Sequence, residues 1–354
     1  MQEHARNIRN RNGARPSAAR PPIDPDKNYA TMRVFYATDR AAAKDFAHTP
    51  VADRYLGGRG RMAYGEASVS IPRKHVAGEL EAPSIWRLEF RDDPARHVVL
   101  LSATPQPRQQ FLQALKARVA GSQGRNAFVF VHGYNVSFAD AARRTAQLSY
   151  DLSFDGAPIF FSWPSQASLS GYTVDESNIE WSTSHIKRFL IDVAEHSGAD
   201  NLYLVGHSMG NRGLTRALAA LVQERPDLRG RFREIILAAP DIDADVFREQ
   251  IVPILGKSAR HSTLYVSKED EALGLSSWLH EQLRAGAGGV QMFGLTELDV
   301  VDASNVPAEG LAHSYYAENK EVIDDIFMVV RRGLPPEQRN LKRYPQYTHA
   351  WRLP

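Results

Sequence analysis

The stretch that decides the fold is "NLYLVGHSMGNRGLTRAL", residues 201 to 218. Its first part, 202–205, is a continuous apolar run, which is typical of a parallel strand covered on both faces. Its second part begins a series of apolar residues at the spacing of one helix face, which continues past residue 218: Leu214, Ala217, Leu218, Leu221 and Val222. Between the two parts stands the pentapeptide 206–210, Gly-His-Ser-Met-Gly. The sequence therefore predicts a strand that turns directly into a helix at a serine.

The two glycines of this pentapeptide make such a turn possible. A direct strand-to-helix turn strains the backbone at its apex, and side chains at 206 and 210 would collide with the helix and the adjacent strands. Ser208 then projects above the sheet at a helix N-terminus, where N–H groups and the helix dipole favour negative charge. This predicts that Ser208 is an acyl-transfer nucleophile and that the N–H of Met209 is an oxyanion donor. His207 is a possible pocket residue, and the alternative is a glycine-rich turn with an incidental serine.

Strand and helix patterns alternate along most of the chain. Segments within 31–103, including 84–90, have strand character and are separated by Gly-, Pro- and Arg-rich loops, which predicts antiparallel strands. Later apolar strands alternate with helix patterns at about 138–152, 175–195, 244–255, 273–283 and 317–331, with a last strand at 292–302. The predicted fold class is α/β: a mostly parallel central sheet with helices on both faces and antiparallel strands at its N-terminal edge.

Composition excludes several classes of protein. The chain has 354 residues, of which 43% are hydrophobic and 24% charged, as in an ordinary globular protein. No stretch approaches the ~18 apolar residues of a membrane span, and no signal peptide is recognised, so we expect a cytoplasmic protein. The chain contains no cysteine, which excludes disulfides, thiolate metal sites and a cysteine nucleophile.

The charge distribution and the motifs suggest three regions. Residues 1–30 contain six Arg and Lys and three Asp and Glu residues and lack an apolar core, so we expect a disordered basic tail. Residues 31–333 form the predicted catalytic domain, in which 31–105 are a β extension of the same sheet. Residues 334–354 lack periodicity and are predicted to be an irregular extension. No nucleic-acid partner is expected, and the sequence leaves the oligomeric state and the role of the tail open.

A serine nucleophile needs a base, and the base needs an acid that orients it. On a sheet of this kind these groups follow later strands, in the order nucleophile, acid, base. Asp270 lies in the loop after the apolar strand of "STLYVSKEDEAL" (262–273), and His313 lies between the final strand and the final helix. We therefore predict Asp270 as the acid and His313 as the base. Asp241 is the alternative acid, because it follows the preceding strand; its competing role, and that of Asp243, is to cap a helix.

The second oxyanion donor is expected from the loop after an earlier strand. "FVFVHGYN" (128–135) ends such a strand, and its glycine lets the backbone turn towards the nucleophile. The N–H of Tyr134 is the predicted donor, with Asn135 next in line. His132 is expected to brace this loop through hydrogen bonds, and Trp163 either walls the pocket or belongs to the core.

The order of these motifs resembles the α/β-hydrolase superfamily: "VHGYN" (131–135), "SWPS" (162–165), "GHSMG" (206–210), "LAAPD" (237–241), "YVSKEDEAL" (265–273) and "AHSYY" (312–316). Within it, the chain resembles a bacterial branch catalogued as a domain of unknown function, to which "YATDR" (36–40) and "YGEASVSIP" (64–72) are also similar. The resemblance covers about 33–333 and implies the α/β-hydrolase fold and serine hydrolase chemistry without a cofactor. Ser208, Asp270 and His313 match the triad positions of the superfamily.

The sequence thus predicts a carboxylesterase-like or lipase-like serine hydrolase whose substrate is a small-molecule or lipid-like ester. No metal or cofactor is expected. The same triad would also serve an amidase, a peptidase or a thioesterase. A non-catalytic binding protein with this fold is the alternative from another class.

Overall fold

A single mixed sheet organises the chain. The computed structural model describes residues 20–83, 91–268, 282–306 and 319–354, with the side chain of Leu169 excepted. The strands are β1 Tyr29–Ala42, β2 Tyr55–Pro72, β3 Leu100–Gln106, β4 Asn126–Val131, β5 Gly156–Ser162, β6 Asn201–His207, β7 Phe232–Ala238, β8 Ala259–Val266, β9 Asp299–Asp302, β10 Lys342–Arg343 and β11 Ala350–Arg352. In these residues the strand order is β10-β11-β9-β8-β7-β6-β4-β5-β1-β2-β3.

The centre of the sheet is parallel, from β1 through β5, β4, β6, β7, β8 and β9 to β11. Its strands are apolar because both faces are covered, as β4 shows. Val129 and Val131 pack into the core on one face, whereas Phe128 and Phe130 pack into the core on the other. Each fully buried side chain of this size contributes about 1.5–3 kcal/mol. The carboxyl ends of the parallel strands therefore meet at one edge of the sheet.

Helices cover both faces of the sheet. They are α1 Arg108–Ala120, α2 Phe138–Asp151, α3 Tyr172–His196, α4 Gly210–Glu224, α5 Ala244–Val246, α6 Val252–Ser258, α7 Val290–Phe293 and α8 Lys320–Arg332. Apolar residues of α1, α3, α4 and α6 join one core, and those of α2 and α8 join the other. None of the helices in the described part of the chain combines the length and apolarity that a membrane crossing requires.

The antiparallel strands lie where the sequence predicts them. β2 pairs antiparallel with both β1 and β3, and β1 joins the parallel part through β5. The N-terminal segment is therefore part of the central sheet, and the predicted fold class is confirmed.

Several predicted elements differ from the structure. The helix predicted at 244–255 is divided into α5, a π-helical segment Phe247–Ile251 and α6, and Pro253, which lacks an N–H, stands in the first turn of α6. The start of the strand predicted at 292–302 belongs to α7, and only Asp299–Asp302 pair in the sheet. Helix α1, which the sequence reading missed, buries Phe111, Leu115 and Val119 at helical spacing.

The C-terminal segment is more regular than expected. β11 pairs parallel with β9 and antiparallel with β10, so two short strands within the otherwise irregular segment 334–354 extend the sheet. At the other end, residues 1–19 lie outside the described residues, and Arg20 donates to the carbonyl oxygen of Tyr150 at 2.8 Å. The predicted strand at 84–90 and most of the predicted helix at 273–283 also lie outside the described residues.

Candidate active site

The serine of the pentapeptide occupies the turn between β6 and α4. Ser208 has φ 50°, in the left-handed region, and its side chain is 2% exposed. Its N–H donates to the carbonyl of Ala238 at the end of β7, and its carbonyl accepts from the N–H of Asn211, both at 3.0 Å. A non-glycine residue at such a φ costs on the order of 1–3 kcal/mol, a strain that is concentrated at functional sites. This is the local geometry of a nucleophile elbow.

The flanking glycines are required by close approaches of other atoms. A Cβ at Gly206 would stand 2.1 Å from Oδ1 of Asn211, whose side-chain amide also donates to the carbonyl of Ala238 at 3.0 Å. A Cβ at Gly210 would stand 2.2 Å from the carbonyl oxygen of His132. The elbow is therefore packed directly against β7 on one side and against the end of β4 on the other.

The loop after β4 passes beside Ser208. A Cβ at Gly133 would lie 2.9 Å from Cβ of Ser208 and 2.8 Å from Nδ1 of His207, which is itself buried. The backbone that bears Tyr134 is thereby adjacent to the elbow. In the first turn of α4 the N–H of Asn211 donates to the carbonyl of Ser208 and that of Arg212 to the carbonyl of Met209. The dipole of the helix favours negative charge at this end.

We predict that Gly133→Ala lowers turnover by about 10², because the added methyl displaces the loop from Ser208 and misplacement of about 1 Å has that effect. The measurement is kcat, with thermal unfolding to show that the fold is retained. Gly256→Ala is the matched control, since a Cβ there meets nothing within 4 Å. Equal kcat for both variants would contradict the placement of this loop at the reacting centre.

Asp175 holds the neighbouring part of the same loop. Asn135, at φ 58°, donates its N–H to the Asp175 carboxylate. The same carboxylate accepts from the Ser165 hydroxyl at 2.6 Å and from the N–H of Gln166 at 2.8 Å. Burial raises the pKa of Asp175, and these three donors oppose the rise. The Asn135 N–H is therefore engaged within the protein.

His132 and Trp163 support the loop from below. The indole N–H of Trp163 donates to the carbonyl of His132 at 2.7 Å, and the two rings stack with centroids 5.1 Å apart. Both side chains are buried, so Trp163 contacts the loop rather than an open pocket. Burial and the charge of Arg40 hold the pKa of His132 well below its usual range. A neutral imidazole in this setting braces the backbone.

Asp241 lies near the elbow and is held by cations. Its N–H donates to the carbonyl of Ser208 at 3.3 Å. Its carboxylate accepts from Arg212 at 3.1 Å and from the Tyr172 hydroxyl at 2.6 Å, and it lies 3.3 Å from Nε of Arg284. It does not cap the helix that follows; Asp243 does, by accepting from the N–H groups of 245 and 246. The cap expected at Asp243 is present, and the one expected at Asp241 is not.

Asp270 and His313 both lie outside the described residues, and they stay predictions. The structure does show which strands and helix flank these two residues in the chain. Asp270 follows the carboxyl end of β8, and His313 lies between the end of β9 and the start of α8. Because β6, β7, β8 and β9 are consecutive parallel neighbours, both loops start from the edge of the sheet that bears Ser208.

Sequence reasoning missed Arg40 as part of this site. It singled out the segment "YATDR" but assigned its arginine no role. In the structure Arg40 reaches from β1 to the loops after β4 and β5. Its partners in these two loops are more than ninety positions away in the chain, so no local pattern could identify them.

Within the described ranges no group of three or more His, Asp or Glu side chains is arranged to hold a metal ion. The chain has no cysteine that could add a ligand elsewhere.

The mostly parallel sheet and the strand–serine–helix turn define the class of protein: an α/β hydrolase. More particularly, the chain belongs to the family described as alpha/beta hydrolase of unknown function (DUF900), whose sequence profile matches residues 108–332. The early segments "YATDR" and "YGEASVSIP" lie outside the matched range. The fold and the family match together support the conclusion that this protein is a hydrolase.

The solved structures that are similar to this chain include two hydrolytic proteins. One is a predicted CIB-like hydrolase from Thermoplasma acidophilum, with 18% identity and a TM-score of 0.33, covering 59% of this chain and 88% of that one. The other is Aspergillus fumigatus lipase B, with 14% identity and a TM-score of 0.37, covering 73% of this chain and 63% of that one. No curated protein matches the chain.

Proposed function

We propose that this protein is a serine hydrolase that cleaves carboxylic esters through an acyl-enzyme. Ser208 attacks the ester carbonyl while His313 removes its proton, and Asp270 orients the imidazole. The N–H groups of Met209 and Tyr134 stabilise the oxyanion. His313 then protonates the leaving alcohol, and water activated by the same histidine releases the acid.

One observation is the main support for this proposal: the strained serine and a second backbone segment meet at the same point. Ser208 has φ 50°, and the Gly133 backbone lies so close to it that a Cβ would come within 2.9 Å. Backbone strain at a non-glycine residue is concentrated at functional sites, and a glycine at this position would relieve it. The neighbouring α4 N-terminus favours developing negative charge.

The experiment is a rate profile against p-nitrophenyl esters of increasing acyl length. We expect hydrolysis that depends on chain length, with a short optimum for an esterase and a long one for a lipase. An anilide and a thioester of the preferred acyl group test the amidase, peptidase and thioesterase alternatives. Absence of hydrolysis with every ester would contradict the proposal and favour a binding protein.

The acid is tested by a pair of substitutions. Asp270→Asn should lower turnover by about 10⁴ and preserve the fold, since the acid sets the tautomer of the base and stabilises its charged form. Asp241→Asn should have a much smaller effect on turnover. It weakens the contacts with Arg212 and Arg284, so its main effect should be on the unfolding temperature. A reversal of the two turnover results would move the acid to Asp241.

A further inference from the structure

Arg40 is a buried cation with an unusual set of partners. The residue is 2% exposed, and its side chain donates to Ser162 Oγ at 2.8 Å and to the carbonyls of Val136 at 2.6 Å, Ser165 at 2.9 Å and Leu56 at 3.4 Å. Among the described residues no carboxylate lies within ion-pair distance of it. Burial lowers the pKa of Arg40 to about 10, against the charges of nearby aspartates, so it remains charged at neutral pH. A charge that is buried without a contacting carboxylate is costly, which calls for a role beyond joining neutral groups.

The contacts of Arg40 continue into a relay of hydrogen bonds. Because the Nε–H of Arg40 donates to Ser162 Oγ, the Ser162 hydroxyl can donate onward to Nε2 of His132, 3.2 Å away. Nδ1 of His132 lies 2.8 Å from the carbonyl oxygen of Gly133, which can only accept, so the hydrogen is assigned to Nδ1. Nη2 of Arg40 lies 3.5 Å from the same ring and disfavours its protonation.

This relay ends on the peptide that joins Gly133 to Tyr134. In a planar trans peptide the C=O and the following N–H point in opposite directions. Once His132 holds the Gly133 carbonyl, the direction of the Tyr134 N–H is fixed as well. The other end of the loop is held by Arg40 itself, through the Val136 carbonyl, and by the Ser165 hydroxyl, which accepts from the Val136 N–H at 3.2 Å.

We propose that Arg40 is a positioning residue of the active site: through Ser162 and His132 it sets the direction of the Tyr134 N–H, the second oxyanion donor. Its catalytic consequence rests on the proposed function. The relay itself is independent of any substrate and can be measured without one.

The kinetic test compares Arg40→Met and Ser162→Ala with the unchanged protein. Both should lower kcat by about 10- to 100-fold, the range expected when an oxyanion donor is misdirected, with KM within about twofold. Arg231→Met is the matched control, because Arg231 also donates to two carbonyls, those of Ala194 and Ala199, at the opposite end of the sheet. Ser162→Ala removes a single hydroxyl. It therefore tests the positioning role of the relay even if Arg40→Met does not fold.

The second readout is ¹⁵N NMR of the histidine side chains, with the His132 signals identified by their loss in His132→Gln. The unchanged protein should show a neutral ring with hydrogen on Nδ1 from about pH 5 to about pH 9. In Arg40→Met the ring should begin to titrate, and in Ser162→Ala the two tautomers should mix. Unchanged kcat and unchanged spectra in both variants would overturn the inference. An unchanged protein that hydrolyses no ester would instead contradict the proposed function. The spectra would still show whether Arg40 and Ser162 set the charge and the tautomer of His132.

Discussion

Ser208→Ala should lower the turnover of the preferred ester by up to about 10⁶, the scale seen when a triad nucleophile is lost. The reason is the elbow itself: the substitution deletes the attacking oxygen but leaves the strained turn and the glycine contacts in place. KM should change little, because Ser208 is proposed to act in the transition state. The measurement is steady-state kinetics on protein whose unfolding temperature is checked beside the unchanged protein.

Ser258→Ala is the matched control for this substitution. Ser258 is also buried, and its hydroxyl donates to the carbonyl of Ile254 at 2.8 Å, just before the amino end of β8. It lies at the opposite end of the parallel strands from Ser208, so its removal should leave turnover unchanged. Comparable activity of Ser208→Ala and Ser258→Ala would contradict the proposal that Ser208 is the nucleophile.

His313→Ala is expected to reduce turnover by a factor similar to that of Ser208→Ala, because nucleophile and base act as a unit. The double variant should be hardly worse than either single variant. His261→Ala is the control, since His261 stands at the amino end of β8 and is exposed. If His261 proved necessary and His313 dispensable, the assignment of the loop after β9 would be wrong.

The pH profile of the unchanged protein gives a second test of the base. An ordinary histidine titrates near ~6.5, so kcat/KM should fall on acidification as the base takes up a proton. His132 is not expected to contribute, because burial and Arg40 hold its pKa well below its usual range and the ring stays neutral. A profile that is flat through this region would contradict a histidine base.

The elbow could be predicted from the sequence because its determinants are local. An apolar run, two glycines and a helical spacing all lie within residues 201–218, and the structure has β6 and α4 there. The antiparallel edge was predictable for a similar reason, since turn-rich loops separate long strand patterns. Asp243 was recognisable as a cap because its two acceptor contacts are to the residues that follow it.

Features made by distant residues could not be predicted in this way. Nothing near Arg40 in the chain indicates that it contacts Val136 and Ser165. Asp241 stands in the chain where a helix cap is expected, but its carboxylate contacts Arg212 and Arg284. β10 and β11 have two and three residues, too few for alternation to be visible. β11 pairs with the edge of β9, and β10 pairs with β11.

The most direct test of the account is covalent labelling with a fluorophosphonate, followed by peptide mass spectrometry. Only a hydroxyl with a base and an oxyanion hole attacks phosphorus quickly. The account predicts one adduct, on the peptide that contains Ser208, and no adduct in Ser208→Ala. Stoichiometric labelling of another serine, or equal labelling of Ser208→Ala, would contradict it.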